Sequence, residues 1–328
     1  MRAWQVKELG DPKNTLTLEE VADPSPGAGE VVVEVEAAAL NFFDILLCKG
    51  EYQERPDLPF TPGAEVAGTV TSAGDETELE EGARVLATPP LPNGGFAERV
   101  SVPESAAYPI PDDMPFEDAA ALHIVYQTAF FALHRRAGLR EGETVLVHAG
   151  AGGVGSAAIQ LARAAGARVF ATAGGEEKVE VCRSLGAELA IDYKQENFIE
   201  MVKEATDGRG ADVIFDPVGG DVFDGSRRCV AFEGRIVVIG FAGGRIPEAP
   251  ANHLLVKNYS VLGLHWGLYG KIMPHLVRET HEELMDLYKA GEIKPLIYRS
   301  VPFEELPGAL ESLGSRGTYG KLVTLPKD

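Results

Sequence analysis

Apolar and polar residues alternate in the first third of the chain in a way that is typical of strands with one buried face. Val33 and Val35 alternate with Glu34 and Glu36, and this period of two places both valines on the same face. Pro, Gly and Asp separate the short apolar segments. The pattern predicts strands at residues 2–6, 16–21, 30–37, 66–73, 84–87 and 96–100. Together these strands indicate a compact, antiparallel, barrel-like domain.

The pattern changes to a helical period near residue 112. Residues 112–138 predict a helix, with Tyr126, Phe130 and Leu133 on one face. Beyond it, short apolar strands alternate with helical segments, which indicates a parallel, doubly wound sheet. Its strands are expected at residues 145–147, 168–172, 190–191, 212–216, 235–240 and 259–264. The last strand, at residues 319–325, is expected to return to the first domain.

One strand–turn–helix segment carries the strongest functional motif. Residues 150–155 read GAGGVG and follow an apolar strand, so they have the G-x-G-x-x-G spacing of a dinucleotide-binding turn. Apolar residues then recur at helical offsets, and such a turn lets backbone amides approach a pyrophosphate at the start of a helix. The alternative is an ordinary tight turn between a strand and a helix. The predicted contacts are Gly150, Gly152, Gly153, Val154 and Gly155.

The end of the second strand of this sheet indicates which nucleotide binds. In an NAD site an Asp or Glu closes that strand and takes the ribose hydroxyls, whereas here it ends at Ala173. The absence of that carboxylate, with Lys178 five residues further on, favours a 2′-phosphate. Glu176 and Glu177 either oppose the phosphate or face solvent at the first helical turn. We therefore expect NADPH rather than NADH.

Composition and charge exclude several classes of function. The length of 328 residues predicts two domains, and the net charge of −20 argues against a nucleic-acid partner. No stretch approaches the roughly 20 apolar residues of a membrane span, and no signal peptide is evident, so we expect a cytoplasmic protein without a membrane partner. The three cysteines share no metal or redox spacing and are expected to be reduced.

Residues 41–63 form the longest segment without a clear strand or helix in the first domain. The segment opens with a possible helical turn and is stiffened by Pro56, Pro59 and Pro62. A loop of this length is either a cover over a binding site or a surface connection without a role in binding. Both alternatives remain open.

Several short motifs together resemble the zinc-independent quinone oxidoreductases of the medium-chain dehydrogenase/reductase superfamily. They are NFFD at residues 41–44, PGAEVAG at 62–68, YQTA at 126–129, HAGAGGVG at 148–155, DPVGG at 216–220 and SRGT at 315–318. The resemblance implies a Rossmann domain, a doubly wound parallel sheet, inserted in a GroES-like β-barrel catalytic domain. The implied catalytic domain covers residues 1–123 and 265–328, and the Rossmann NADP-binding domain covers residues 124–264.

The same resemblance implies roles for particular residues. Lys178 and Tyr193 are expected to bind the 2′-phosphate of NADPH, with Arg316 or Lys321 reaching it from the C-terminal segment. Thr128 is expected to lie against the nicotinamide, and the cleft walls are expected to be Val218 and Phe241. A homodimer, joined through the strand at residues 259–264, is also implied.

Zinc is not expected. The zinc-dependent relatives carry a Cys where this chain has Asn41 and a His where it has Ala64, which leaves only Glu65 of that set. One carboxylate does not make a catalytic zinc site, because such sites take three protein ligands. Without a Lewis acid, hydride transfer to a quinone or an enone fits better than alcohol oxidation.

The acceptor is expected to bind between the domains, over the nicotinamide. Asn41, Tyr52 and Tyr126 are the candidate polar contacts for its developing oxyanion, and Asn41 could instead contact the cofactor. The alternatives are a turn-capping role for Asn41 and a packing role for the tyrosines. One alternative is an NADPH-dependent enoyl or 2-enal reductase. The other is a non-enzymatic NADPH-binding member of the same superfamily.

Overall fold

The computed structural model describes residues 1–327 and divides them into two compact units. The first unit contains residues 1–124 together with the chain from Pro295 onward, and the second contains Val125–Lys294. The strands in chain order are β1 Arg2–Val6, β2 Leu16–Glu20, β3 Glu30–Leu40, β4 Val66–Ala73, β5 Arg84–Ala87, β6 Arg99–Pro103, β7 Ala107–Pro109, β8 Thr144–Val147, β9 Arg168–Ala173, β10 Leu189–Asp192, β11 Ala211–Asp216, β12 Val230–Val238, β13 Ser260–Gly263, β14 Ile297–Pro302 and β15 Lys321–Leu325.

The helices connect these strands. The helices in chain order are α1 Pro12–Thr15, α2 Phe42–Lys49, α3 Phe116–Phe130, α4 Gly153–Ala164, α5 Glu176–Ser184, α6 Phe198–Ala205, α7 Gly220–Cys229, α8 Ala251–Lys257, α9 Gly267–Ile272, α10 Pro274–Lys289 and α11 Leu306–Gly314. A π-helical turn, Phe131–Arg136, continues α3. None of the helices within residues 1–327 is long and apolar enough to cross a membrane.

The first unit is built on one twisted sheet in the order β14-β15-β3-β4-β5-β7, with β6 also paired to β3. All of its pairs are antiparallel except β14 with β15. Val33 and Val35 are fully buried whereas Glu34 and Glu36 are half-buried, so the predicted alternation is present. The last strand β15 pairs with β3, as the sequence predicts for the C-terminal segment.

The second unit holds a six-stranded parallel sheet in the order β10-β9-β8-β11-β12-β13. From β8 the chain adds β9 and β10 on one side, and it then adds β11, β12 and β13 on the other side of β8. This reversal makes the carboxyl end of β8 the expected ligand edge. The core beneath this sheet is apolar, and Leu146, Phe170 and Ile214 are fully buried. The predicted fold class, a doubly wound parallel sheet with a GroES-like β domain, is confirmed.

One predicted domain boundary differs from the structure. The boundary predicted after residue 123 lies within one residue of the observed boundary at Ile124. The boundary predicted after residue 264 is instead observed after Lys294. The reason is that α9 and α10 pack on the second unit: the Gln127 Nε2 donates to the Val277 carbonyl at 2.8 Å, and the rings of Phe131 and Tyr269 lie 4.6 Å apart. Their amphipathic pattern alone did not show which unit they cover.

Three strands of the first unit also differ from the prediction. The strand expected at residues 96–100 is found at Arg99–Pro103, and the sequence does not predict β7 or β14. Tyr298, Arg299 and Ser300 in β14 are exposed, because β14 is an edge strand that buries little side-chain surface, and it therefore lacks an alternating pattern. All three cysteines are free and buried, as expected.

Candidate active site

The glycine turn lies at the carboxyl end of β8 and begins α4. Gly152 is the N-cap residue, and the Gly150 N–H donates to the Thr172 carbonyl at 2.9 Å, which fixes the turn to β9. A Cβ on Gly155 would lie 2.2 Å from the Ala149 carbonyl oxygen, whereas a Cβ on Gly152 would lie 3.3 Å from it. Gly155 is therefore required by packing of the turn itself. Gly152 leaves room at the start of the helix for a group approaching its backbone.

A neutral polar network lies directly beneath the turn. The His148 side chain is buried, with Nδ1 2.9 Å from Thr172 Oγ1 and Nε2 2.9 Å from Ser226 Oγ. The Ser226 hydroxyl donates to the Val222 carbonyl at 2.8 Å, so His148 Nε2 is the donor and Nδ1 accepts from Thr172. Burial lowers the pKa of His148 to about 3. His148 is therefore a neutral structural residue that joins β8, β9 and α7.

Cationic and phenolic side chains surround the end of β9. The Tyr193 hydroxyl and the Lys194 Cε lie 2.5 and 3.2 Å from the position of a Cβ on Gly174. Lys178 is half-buried in the first turn of α5, which begins two residues beyond Gly174. The structure thus places the predicted Lys178 and Tyr193 around the same loop. It adds Lys194, which sequence reasoning missed and which its position beside Tyr193 could have indicated.

Asp192 holds this loop in place and was also missed. Its carboxylate accepts hydrogen bonds from the Gly175 N–H at 2.9 Å, the Lys194 N–H at 3.0 Å and the Gln195 Nε2 at 3.1 Å. The backbone N–H of Gly175, followed by that of Lys194, lowers the pKa of Asp192. Because these donors engage both carboxylate oxygens, Asp192 supports the loop rather than replacing the carboxylate that closes β9 in NAD sites. Glu176 and Glu177 are exposed, in agreement with the solvent-facing alternative.

A second pair of turns forms the neighbouring part of the ligand edge. Asp216 at the end of β11 is buried and accepts from the N–H groups of Val218 and Gly219 at 2.8 and 2.9 Å. Burial raises the pKa of Asp216, and its Oδ2 has no partner within residues 1–327. The Gly243 N–H donates to the Val218 carbonyl at 2.8 Å, so the turns after β11 and β12 lie together. Phe241 in the second turn is 41% exposed at this edge.

The α3 residues of the second unit have different surroundings from those expected. Thr128 is half-buried, but Tyr126 is only 1% exposed, and its hydroxyl accepts from Gln160 Nε2 at 2.9 Å. Gln160 also donates to the Lys294 carbonyl at 3.0 Å and accepts from the Lys294 N–H at 2.7 Å. Tyr126 thus belongs to a buried network that ties α3 to α4. This corrects the prediction that Tyr126 contacts the acceptor, because a buried hydroxyl in such a network cannot reach a bound molecule.

The first unit contains a buried ionic cluster around Lys321. Its Nζ lies 2.7 Å from Glu65 Oε1 and 2.6 Å from Asn41 Oδ1, and the side chains of Lys321 and Glu65 are 4% and 1% exposed. The other Glu65 oxygen accepts from the Ile124 N–H at 2.9 Å. This corrects the prediction that Lys321 binds a cofactor phosphate, because its ammonium is buried and already neutralised by Glu65. Arg316, the alternative, is exposed in the turn after α11.

Asn41 is the member of this cluster with a predicted catalytic role. It is the N-cap residue of α2, and its Nδ2 donates to Glu65 Oε1 at 2.9 Å while its Oδ1 accepts from Lys321. Its N–H donates to Asp44 Oδ2 at 2.8 Å, and Asp44 Oδ1 accepts from the Gly63 N–H at 3.2 Å. Burial raises the pKa of Asp44 to about 7. Both ends of the Asn41 amide are therefore engaged within the cluster, and a contact with an acceptor stays a prediction.

The segment after α2 carries the remaining predicted contact. Tyr52 is half-buried and its ring stacks on Phe43 with centroids 5.4 Å apart. Burial raises the pKa of Tyr52, so its phenol stays protonated at neutral pH. Tyr52 thus offers a neutral hydroxyl on a ring that stacks on Phe43, and its hydrogen bond to an acceptor stays a prediction.

The donor set of the cluster does not suit a metal ion. Glu65 is its one charged oxygen ligand besides Asp44, and the ammonium of Lys321 sits on it at 2.7 Å. Ala64 supplies no ligand atom. Within residues 1–327, no group of three or more His, Cys, Asp or Glu side chains is placed to hold a metal ion. The positive charge in the cluster is supplied by the ammonium of Lys321, a residue of the chain itself.

Comparison with known proteins agrees with this architecture. Residues 27–112 match the family described as alcohol dehydrogenase GroES-like domain, and residues 153–289 match the family described as zinc-binding dehydrogenase. The quinone oxidoreductase-like protein 2 homolog of Nematostella vectensis is 42% identical over 98% of this chain and 88% of its own length. The chain belongs to the quinone oxidoreductase family of the medium-chain dehydrogenase/reductase superfamily. The predicted family and the coarse prediction of an oxidoreductase are thereby confirmed.

Two solved structures with different named activities have the same fold as this chain. The Escherichia coli quinone oxidoreductase complexed with NADPH is 29% identical to this chain, with a TM-score of 0.91 over 99% of this chain and all of the other. The CurK enoyl reductase is 28% identical, with a TM-score of 0.88 over 99% of this chain and 98% of the other. Two members with different named activities thus share one fold, so the fold alone does not decide the acceptor.

Proposed function

We propose that this protein transfers a hydride from NADPH to a quinone or a similar conjugated carbonyl compound, without zinc. The observation that carries the proposal is the ligand edge of the second unit. There the glycine turn begins α4, β9 ends without a carboxylate, and Lys178, Tyr193 and Lys194 surround the following loop. A dinucleotide with a 2′-phosphate complements this arrangement of backbone amides and cations.

The residues at this edge fit the cofactor. A Cβ on Gly152 would meet the Ala149 carbonyl oxygen at 3.3 Å and no other atom within 4 Å, so the glycine leaves the start of α4 accessible to the pyrophosphate, and the half-buried Lys178 with Lys194 offers charge to the 2′-phosphate. Val218 and the partly exposed Phe241 provide an apolar wall for the nicotinamide half. The NADPH complex of the Escherichia coli relative supports the same assignment. Thr128 retains its predicted place against the nicotinamide.

The protein's contribution to the reaction is orientation rather than acid–base chemistry. NADPH supplies the hydride, and a conjugated acceptor needs only a hydrogen-bond donor for its developing oxyanion. Asn41, which is 7% exposed, is the proposed donor through the second hydrogen of its Nδ2, whose other contact is the Ala39 carbonyl at 3.5 Å, and Lys321 and Glu65 orient its amide. Because Tyr52 stays protonated at neutral pH, it is the second candidate donor.

The cofactor assignment is tested by removing one cation. In Lys178→Gln the affinity for NADPH should fall about tenfold, the effect of one charge-assisted hydrogen bond, while the affinity for NADH changes little. Arg183→Gln is the matched control, because Arg183 lies on the same helix and is ion-paired with Glu180 at 3.1 Å. Fluorescence titration of both nucleotides measures the effect. Equal losses for NADPH and NADH would disprove the phosphate assignment.

The main alternative is an NADPH-dependent enoyl or 2-enal reductase, which the similarity to the CurK enoyl reductase favours. Initial rates with 1,4-benzoquinones, 2-alkenals and enoyl thioesters, all under saturating NADPH, separate the two. A clear preference for alkenals or thioesters would replace the quinone assignment. Tight NADPH binding without oxidation of NADPH by any of these acceptors would indicate the non-enzymatic alternative.

Two further expectations accompany the proposal. Elemental analysis of active protein should find no stoichiometric zinc, since Lys321 occupies the charge-neutralising position beside Glu65. A homodimer is proposed through β13, which is the edge strand of the parallel sheet and pairs only with β12 within the described residues. Sedimentation analysis of the wild type and of Val261→Pro, which removes a backbone donor from that edge, tests the dimer.

A further inference from the structure

A cavity lies at the opposite edge of the parallel sheet from the glycine turn. It has a volume of about 250 Å³. Gly208–Gly210 in its wall immediately precede β11, Val230 is the first residue of β12, and Lys257 lies three positions before the start of β13. The cavity therefore lies at the amino ends of these strands, whereas the proposed cofactor edge is formed by their carboxyl ends. The two sites are distinct.

The lining of this cavity contains four cations and no carboxylate, namely Lys203, Arg209, Arg228 and Lys257. This is unexpected in a chain whose formal net charge is −20. Arg209 is neutralised by Asp212 at 2.5 Å. Within residues 1–327, the other three have no carboxylate oxygen within 4.0 Å, and burial together with the charge of Lys203 lowers the pKa of Lys257. Lys203 and Arg228 are exposed, and the Lys257 ammonium donates to the Arg227 carbonyl at 2.7 Å, so these three cations are solvated or hydrogen-bonded but not paired with a carboxylate.

The ends of three helices explain only part of this charge. Lys203, Arg228 and Lys257 lie in the last turns of α6, α7 and α8, respectively, where a cation complements the helix dipole. Each helix end carries about half a negative charge, so three ends offset roughly half of the three cations. A net positive charge therefore remains at the cavity. It would attract an anionic ligand.

The shape of the lining indicates what kind of anion fits. Gly208 and Gly210 place bare backbone beside the cations, and Phe232, which is 69% exposed, stands at the same cavity with its ring in solvent. The cavity has room for a diphosphate group, since its volume equals the share of about eight water molecules. An exposed aromatic ring beside a phosphate-binding group of cations provides a stacking surface for a base. We propose that this cavity is a second nucleotide site, specific for a nucleoside di- or triphosphate.

The test uses protein saturated with NADPH, so that the added ligand cannot occupy the glycine turn. Calorimetric titration with tripolyphosphate and with ADP should each show one additional site. In Lys203→Gln/Arg228→Gln both affinities should fall at least about tenfold, because two charge-assisted contacts are lost. In Phe232→Ala only the affinity for ADP should fall.

Lys289→Gln is the matched control, since Lys289 is likewise a cation in the last turn of a helix but does not line the cavity. It should leave both affinities unchanged. The proposal is overturned if neither ligand binds the NADPH-saturated wild type, or if Lys289→Gln weakens binding as much as the double variant. If tripolyphosphate binds but Phe232→Ala leaves ADP binding unchanged, the site takes an inorganic polyphosphate and the nucleotide assignment is wrong.

Discussion

The two units each bury a polar network beneath a segment with a proposed functional role, but the networks have opposite character. In the first unit, Lys321 and Glu65 form an ion pair that holds Asn41. In the second unit, His148 forms a neutral network with Thr172 and Ser226 beneath the glycine turn. The network of the first unit contains two buried opposite charges, whereas the network of the second unit contains no charged side chain.

This difference has energetic consequences. Burying an ion pair carries a large desolvation cost, so the pair is weak evidence for net stability, but the loss of one partner leaves an uncompensated charge. A neutral network carries no such charge, and the loss of a member exposes only one unsatisfied hydroxyl. The first unit should therefore be sensitive to single charge deletions, and the second to protonation.

The largest expected effect is on the ion pair. Lys321→Met leaves the Glu65 carboxylate buried without its cation and should lower the free energy of unfolding by about 3–5 kcal/mol. Urea denaturation followed by Trp4 fluorescence in a Trp266→Phe background reports on the first unit alone, because these are the only two tryptophans. The unfolding midpoint measures the loss.

Lys327→Met provides the control for this deletion. Lys327 is 44% exposed and pairs with Glu34 and Glu36 on the surface, so its loss should change stability by less than about 1 kcal/mol. Adding Glu65→Gln to Lys321→Met should recover part of the stability, since it removes the orphaned charge. Equal losses in the two lysine variants would show that the buried pair is no more important than a surface one.

The next effect is a pH dependence of opposite sign in the two networks. The pKa of His148 is about 3 in the folded chain and about 6.5 when unfolded, so below pH 6.5 the unfolded chain binds a proton that the folded chain rejects. Stability is therefore lost as the pH falls, by about 2 kcal/mol between pH 7 and pH 5. His148→Gln, which keeps a donor and an acceptor, should remove this loss.

Asp44 should act in the opposite direction. Its pKa is raised to about 7 in the folded chain, so its contribution is fully present below the unfolded value near 3.8 and is lost as the pH rises through 7. Asp44→Asn should therefore lose, relative to the wild type, about 2 kcal/mol on going from pH 7 to pH 5, opposite to His148→Gln. Urea unfolding at both pH values measures the two slopes. Parallel slopes in the two variants would refute the contrast between the networks.

The sequence predicted elements best where local pattern and burial agree. The bounds of β4 and β5 match the prediction residue for residue, because each is a short apolar segment between turn residues. Gly155 is predicted from the glycine spacing together with the preceding strand and the following helical pattern, and its packing against the Ala149 carbonyl explains why that position needs a glycine. β14 escaped prediction, since this exposed edge strand carries no alternating pattern.

The predicted roles of site residues were wrong where a side chain's surroundings depend on partners that are distant in sequence. Lys321 meets Glu65 across 256 positions in the chain, and no local pattern shows that a lysine is buried. Tyr126 meets Gln160 in the same way, through a contact between two helices. Asp192 was missed because the carboxyl end of β10 comes next to that of β9 only in the folded sheet. Long-range pairing is thus the information that local periodicity lacks.

The smallest expected effects distinguish the two glycines of the turn above the neutral network. Gly155→Ala places a Cβ 2.2 Å from the Ala149 carbonyl oxygen and should lower the stability of the second unit by about 1–2 kcal/mol through overpacking. Gly152→Ala meets that oxygen only at 3.3 Å, so it should leave stability nearly unchanged yet weaken NADPH binding, because the new methyl group lies where the pyrophosphate approaches. Urea unfolding followed by Trp266 fluorescence in a Trp4→Phe background, together with NADPH titration, measures both. If Gly152→Ala binds NADPH as tightly as the wild type, the pyrophosphate does not approach the start of α4. In that case the turn would be only a tight connection between β8 and its helix.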